Sequence, residues 1–116
     1  MSSQWSGLLE GITRVPGVRG ALVVSAEDGL VVAESSMGDV DGGAVAALAA
    51  SLVVRLGRAV AALGHDAPRL VHLEAELGAV MAMPAGSGLL LAAVADADAN
   101  VGLLRLALRD AAQRVA

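Results

Sequence analysis

The chain of 116 residues contains no cysteine, lysine, phenylalanine or tyrosine, and a single tryptophan, Trp5. Without cysteine there are no disulfides and no thiolate metal sites, a composition that fits a reducing compartment. Without lysine there is no phosphate-binding loop of the Gly-Lys-Ser/Thr kind. Pro84-Ala-Gly-Ser-Gly88 and Gly42-Gly43 are glycine-rich but carry none of that chemistry, so the chain is not expected to bind or hydrolyse a nucleotide itself. Basic runs are missing too. Twelve acidic residues outweigh eight basic ones for a net charge of −4, with no aromatic–basic interleaving, so nucleic acid is not an expected partner. The N-terminal Met1-Ser-Ser-Gln-Trp-Ser has neither a basic flank nor an apolar run; a secretory signal is not expected, and a cytoplasmic location is.

The scarcity of aromatics shapes the core. At 56% hydrophobic residues and 1% aromatic, the interior of this single domain must be built from leucine, valine and alanine. Alanine lets elements approach closely but contributes little burial free energy per side chain, so association is expected to add stability.

Catalytic and metal chemistry are poorly provided for. No serine sits in a nucleophile elbow, and a triad is not expected from two histidines. His65 and His72 lack a third ligand at metal spacing. Asp96, Asp98 and Asn100 have the alternating oxygens of a calcium loop's start, but the glycine and distal glutamate are not at the right offsets, and helix capping accounts for them better. Neither an active site, a cofactor nor a metal is expected.

The pattern along the chain predicts helix, two strands, long helix, three strands, helix. Ser3 or Ser6 can cap a first helix through Leu8, Leu9 and Ile12, anchored by Trp5 and ended by Pro16-Gly17. Gly20–Ser25 is apolar on both faces, and Asp28-Gly29 turns it into Leu30–Ser35, a candidate edge strand. Asp39 or Asp41 can cap the long helix, and Gly64 can stop it. Leu70–Glu76 alternates, with Val71, Leu73 and Ala75 expected inward and His72, Glu74 and Glu76 outward, as in an edge strand. Ala79–Met83 and the doubly apolar Leu89–Ala95 follow, then a helix with its stripe at Val101, Leu104, Leu108, Ala111 and Ala112. Arg105, Arg109 and Arg114 cluster late in that helix, where cations suit its negative end. Two strands apolar on both faces need cover on both sides. The expected fold is therefore an α/β/α sandwich on a five-stranded antiparallel sheet, in the order α-β-β-α-β-β-β-α.

The long helix organises the rest. Stepped at roughly 100° per residue, Val45, Leu48, Ala49, Leu52, Val53, Leu56, Val60 and Leu63 form a large-residue face, expected to cover the core. Ala46, Ala50, Val54, Gly57 and Ala61 form a small-residue face, expected to meet another protein surface. Ala47, Ser51, Arg55, Arg58 and Ala62 form a narrow third face with the only two charges. A membrane span needs about 20 uninterrupted apolar residues, and Arg55, Gly57 and Arg58 interrupt this run; membrane insertion is not expected.

With the elements in this order, Val15-Pro-Gly-Val-Arg-Gly-Ala-Leu-Val-Val-Ser25, Asp28-Gly-Leu-Val-Val-Ala33, the Ala-rich helix from Ala44 to Leu63, the strand pattern from Leu73 to Gly78 and Asn100-Val-Gly-Leu-Leu-Arg105 together resemble the Roadblock/LC7 domain family, of its bacterial MglB-like kind. The resemblance implies a homodimer in which the long helices lie side by side and the following strands pair. The expected dimer interface is then Ala46, Ala50, Val54, Gly57 and Ala61 with His72 and Glu74. It also implies regulation of a Ras-like small GTPase, docked on the paired helices through Ser51, Arg55 and Arg58. These arginines lie on a helix, not on a reaching loop, so partner contact is favoured over an arginine finger. A scaffold subunit without a GTPase is the alternative. A small-molecule sensor is a further one, disfavoured because an aliphatic core offers few groups to line a ligand cavity.

Overall fold

The computed structural model describes residues 3–86 and 88–115. The elements run α1 (Ser3–Thr13), β1 (Val18–Ser25), β2 (Val31–Ser36), α2 (Gly42–Ala62), β3 (Val71–Ala75), β4 (Gly78–Ala85), β5 (Leu89–Asp96) and α3 (Val101–Val115). The five strands form one antiparallel sheet in the order β2-β1-β5-β4-β3. The doubly apolar β1 and β5 lie inside it and the polar-edged β2 and β3 flank it, as their residue patterns predict.

Helices cover both faces. On the back, α1 and α3 pack Leu8, Leu9, Ile12, Leu104 and Leu108 onto Val23, Met81 and Leu91, with Trp5 against the same cluster. On the front, α2 lies over Leu22, Val24, Ala82, Leu90 and Ala92. The α/β/α sandwich is therefore the observed architecture.

Local chemistry explains the boundaries. α1 begins at Ser3, so Ser6 lies in its first turn and is not the N-cap; the Ser3 side chain lies outside the described residues. The hairpin between β1 and β2 turns at Gly29, whose φ of 70° favours glycine; its N–H donates to the Ser25 carbonyl at 2.9 Å. Asp41 caps α2, its Oδ1 accepting from the Ala44 N–H at 3.1 Å. At the other end Gly64 adopts φ 84°. The N–H groups of Gly64 and His65 donate to the carbonyls of Ala61 and Val60, a Schellman closure. Asn100 caps α3 by accepting from the Leu103 N–H at 2.9 Å.

One residue ties these boundaries together. Arg19 sits at a β-bulge, where the β1–β5 register shifts between Val18 and Gly20. Its guanidinium donates to Asp39, just ahead of α2, and lies 3.6 Å from Asp96 at the end of β5. The hydrogen bond and charge of Asp39, aided by Asp96, raise the Arg19 pKa above its ordinary value. Asp39 is thus engaged by Arg19, which leaves the capping of α2 to Asp41.

Two expectations need correcting. First, Leu73 and Ala75 do share the α2 side of the sheet with Val71, Val80 and Val94, yet both are exposed. The reason is extent: α2 covers the half of that face bearing Leu22, Val24, Ala82, Leu90 and Ala92, and Leu73 lies beyond it. Second, α2 is rolled toward its small-residue face. Val45, Ala49 and Val53 meet the sheet as expected, but Ala46 and Ala50 join them there while Leu48, Leu56 and Leu63 turn outward. This bears directly on the site.

Candidate interaction surface

Three alanines in the first half of α2 turn inward. Ala46 and Ala49 are 0% exposed and Ala50 is 7% exposed, packed on the sheet; Val45 and Val53 flank them. Ala46 and Ala50 are therefore part of the subunit's own core and cannot form a dimer interface. The physical reason is the sheet beneath. Leu22, Val24 and Leu90 already fill the layer, so what fits above them is a helix face with short side chains. Of the residues expected to cover the core, Leu48 and Leu56 are each 39% exposed and Leu63 is 74% exposed, with Leu52 and Val60 only partly covered. Of the remaining small-face residues, Val54 and Ala61 are exposed and Gly57 is half-buried at the margin.

The sheet carries apolar surface of its own. Among the described residues β3 pairs only with β4, so its outer edge is open, and His72 and Glu74 are exposed there. On the α2 side of the same end of the sheet, Leu73, Ala75, Leu77, Val80 and Val94 line a shallow hollow of ≈ 260 Å³ with Arg19 at its rim. α2 itself is 21 residues long with a mean hydropathy of 1.7 in its most apolar stretch, enough by length and composition to cross a membrane. In the fold, its alanine face is engaged by the sheet. The molecule thus presents two uncovered features, the exposed leucines of α2 and the open strand edge of β3. An uncovered strand edge invites pairing with another chain, and exposed apolar patches mark interaction sites.

The polar face of α2 is organised separately. Ser51, Arg55 and Arg58 line a cleft of ≈ 320 Å³ whose opposite wall is the β1–β2 turn, from Ala26 through Glu27 and Asp28 to Gly29. The structure thus brings together the three residues expected to contact a partner. It adds the acidic pair Glu27 and Asp28, which sequence reading placed only in a turn. Among the described residues neither Arg55 nor Arg58 makes an ion pair. The cleft therefore offers free guanidinium donors beside carboxylate acceptors, a rim suited to a polar protein surface and not to bond-making chemistry. Among the described residues no three His, Asp or Glu side chains gather in a way that could hold a metal.

Comparison with known proteins agrees with this architecture. The family model of the Roadblock/LC7 domain matches residues 6–95. An uncharacterized protein of Methanocaldococcus jannaschii is 33% identical over 108 residues, spanning 93% of this chain and 92% of that protein. Among solved structures, a Roadblock/LC7 domain from Streptomyces avermitilis superposes with a TM-score of 0.83 at 28% identity, covering 94% of this chain and 92% of that one. Myxococcus xanthus MglB superposes with a TM-score of 0.84 at 18% identity, over 96% and 90% of the two chains, a likeness of fold. Family model, sequence relative and fold converge: this chain belongs to the Roadblock/LC7 domain family.

Proposed function

We propose that the protein is a cytoplasmic homodimeric adaptor that binds a Ras-like small GTPase and regulates its nucleotide state or position, with no active site of its own. The observation that carries this reading is the exposed leucine face of α2, to which the open edge of β3 adds a second uncovered feature. Covering a leucine completely is worth about 1.5–3 kcal/mol, so burying the exposed parts of Leu48, Leu52 and Leu56 against a second copy is a strong drive to associate. The dimer surface is accordingly reassigned from Ala46 and Ala50 to Leu48, Leu52 and Leu56, with His72 and Glu74 on the strand edge; Val54, Gly57 and Ala61 border it. Membership of the Roadblock/LC7 family and the likeness of fold to MglB support a regulator or adaptor over an enzyme.

In this reading the GTPase docks on the paired helices and meets Ser51, Arg55 and Arg58 at the cleft beside the β1–β2 turn. Any stimulation of hydrolysis comes from ordering the GTPase's own switch loops, because Arg55 and Arg58 stand on a helix and not on a loop that reaches a nucleotide.

Light scattering at micromolar concentration is expected to give a dimer. The double substitution Leu48→Glu and Leu56→Glu is expected to give a folded monomer. Arg55→Glu with Arg58→Glu is expected to leave the dimer intact while retention of the GTPase, in a pull-down with a non-hydrolysable GTP analogue, falls about tenfold or more, as loss of charge-assisted contacts implies. A monomeric wild-type protein would refute the dimer. Failure to retain any small GTPase with either GDP or the GTP analogue would remove the GTPase and leave a scaffold subunit in its place.

A further inference from the structure

The back layer carries a second cleft, unrelated to α2. It measures ≈ 630 Å³ and is lined by Arg105 and Arg109 of α3, Arg69 of the segment before β3, and an apolar floor that includes Leu70, Met83 and Pro84. Two of these arginines are one helical turn apart. The third comes from a segment distant in the chain, so the fold itself assembles the cluster.

The charges are left unmet. Arg14, Arg19 and Arg114 each have a carboxylate partner, in Glu10, in Asp39 and Asp96, and in Asp110. Among the described residues Arg69, Arg105 and Arg109 have none, and no acidic residue lines the cleft. This occurs in a chain with twelve acidic side chains. Three like charges around one hollow repel one another, and an anion shared among them relieves that repulsion.

Guanidinium forks suit carboxylate and phosphate alike, and one further feature decides between them. The floor of Leu70, Met83 and Pro84 would be idle under a bare phosphate or a lipid headgroup, whereas it can seat an apolar side chain. Side chains four apart on a helix have Cβ atoms about 5–6 Å apart. Alternate residues of an extended peptide rise about 6.6 Å, so an acid–apolar–acid sequence matches the pair on α3.

We propose that the cleft between α3 and the segment 67–70 binds a short acidic peptide segment of a partner protein. Two carboxylates at alternate positions engage Arg105 and Arg109 on the α3 wall, and Arg69 holds a further carboxylate. The intervening apolar side chain, which points the opposite way along an extended peptide, packs toward Leu70, Met83 and Pro84. The site lies on the opposite face of the sheet from α2, so it stands or falls independently of the dimer and of GTPase docking.

The test is fluorescence anisotropy with a fluorescein-labelled peptide of alternating glutamate and leucine, against the same peptide with glutamine in place of glutamate. The full chain is expected to bind the acidic peptide about tenfold or more tighter than its glutamine counterpart, with affinity falling as salt is raised. Arg105→Gln with Arg109→Gln is expected to lose about tenfold or more of that affinity. Both side chains are exposed, and an unchanged thermal melt verifies the fold. Arg55→Gln with Arg58→Gln, on the other face, is expected to bind as wild type. Absence of binding to the acidic peptide, equal binding of the two peptides, or equal binding by the α3 variant would overturn the proposal. So would Arg105- and Arg109-dependent sedimentation with phosphatidylserine vesicles in place of peptide binding, which would assign the cleft to a membrane.

Discussion

The two faces of the sheet are closed in different ways. Behind it, α1 and α3 bring Leu8, Leu9, Ile12, Leu104 and Leu108 against Val23, Met81, Met83 and Leu91, large side chains from both layers that interlock within one subunit. In front, the buried cluster has eight members of which five are alanines, and the leucines of the same helix point away from it. A layer of small side chains gains little from its own burial. The back layer is a finished core, and the front layer is half of one. The difference teaches that α2 is placed by close approach to the sheet and completed by whatever covers its outer side.

The largest expected effect comes from opening the finished side. Leu108→Ala, at a position with no exposure, should cost about 2–5 kcal/mol in chemical denaturation. Leu56→Ala removes the same atoms from an exposed site. Its cost should depend on protein concentration, because it acts through association, whereas that of Leu108→Ala should not. Equal and concentration-independent losses at the two leucines would erase the distinction between the layers.

Overfilling the half-built side is the next test. Ala46, a member of the small-residue face, is buried between α2 and the sheet. Ala46→Leu should lift the helix and cost about 1–3 kcal/mol, seen as a lower midpoint in urea. Were the small residues the outward face of α2, the same change would be neutral, so this one substitution decides which way the helix is turned.

That orientation marks the limit of what could be read from sequence. The alternation of Leu70–Glu76, the Asp28-Gly29 turn, the two doubly apolar strands and the Gly64 stop each act within a few residues, and each predicted its element. The rotation of α2 depends on Leu22, Val24 and Leu90, which fill the space beneath it from strands distant in the chain. Hydropathy separates the leucine stripe from the alanine stripe but does not say which one the sheet has room for. The same distance hid the arginine cleft. Arg105 and Arg109 show their helical spacing in the sequence, but only the chain's path brings Arg69 beside them. Ser51, Arg55 and Arg58 were legible as a group because all three ride on one helix.

The smallest expected effect concerns how α2 is started. The sequence offers two carboxylates ahead of this helix, and the structure gives them different tasks: Asp39 is held by Arg19, and Asp41 accepts from the Ala44 N–H. Asp41→Ala should therefore cost about 1 kcal/mol, a fall of roughly 4 °C in Tm for a domain of this size. Asp39→Ala removes one partner of a solvent-exposed ion pair and should cost less, within the 0–1 kcal/mol usual for such pairs. The order of these two losses matters more than their size. α2 is anchored by one face only, so a frayed first turn would loosen Ala46 from the sheet and with it the leucine surface on the outer side. If Asp39→Ala proved the more damaging, the loop that Arg19 gathers would be what positions the helix, and the front layer would be held at its margin and not by its cap.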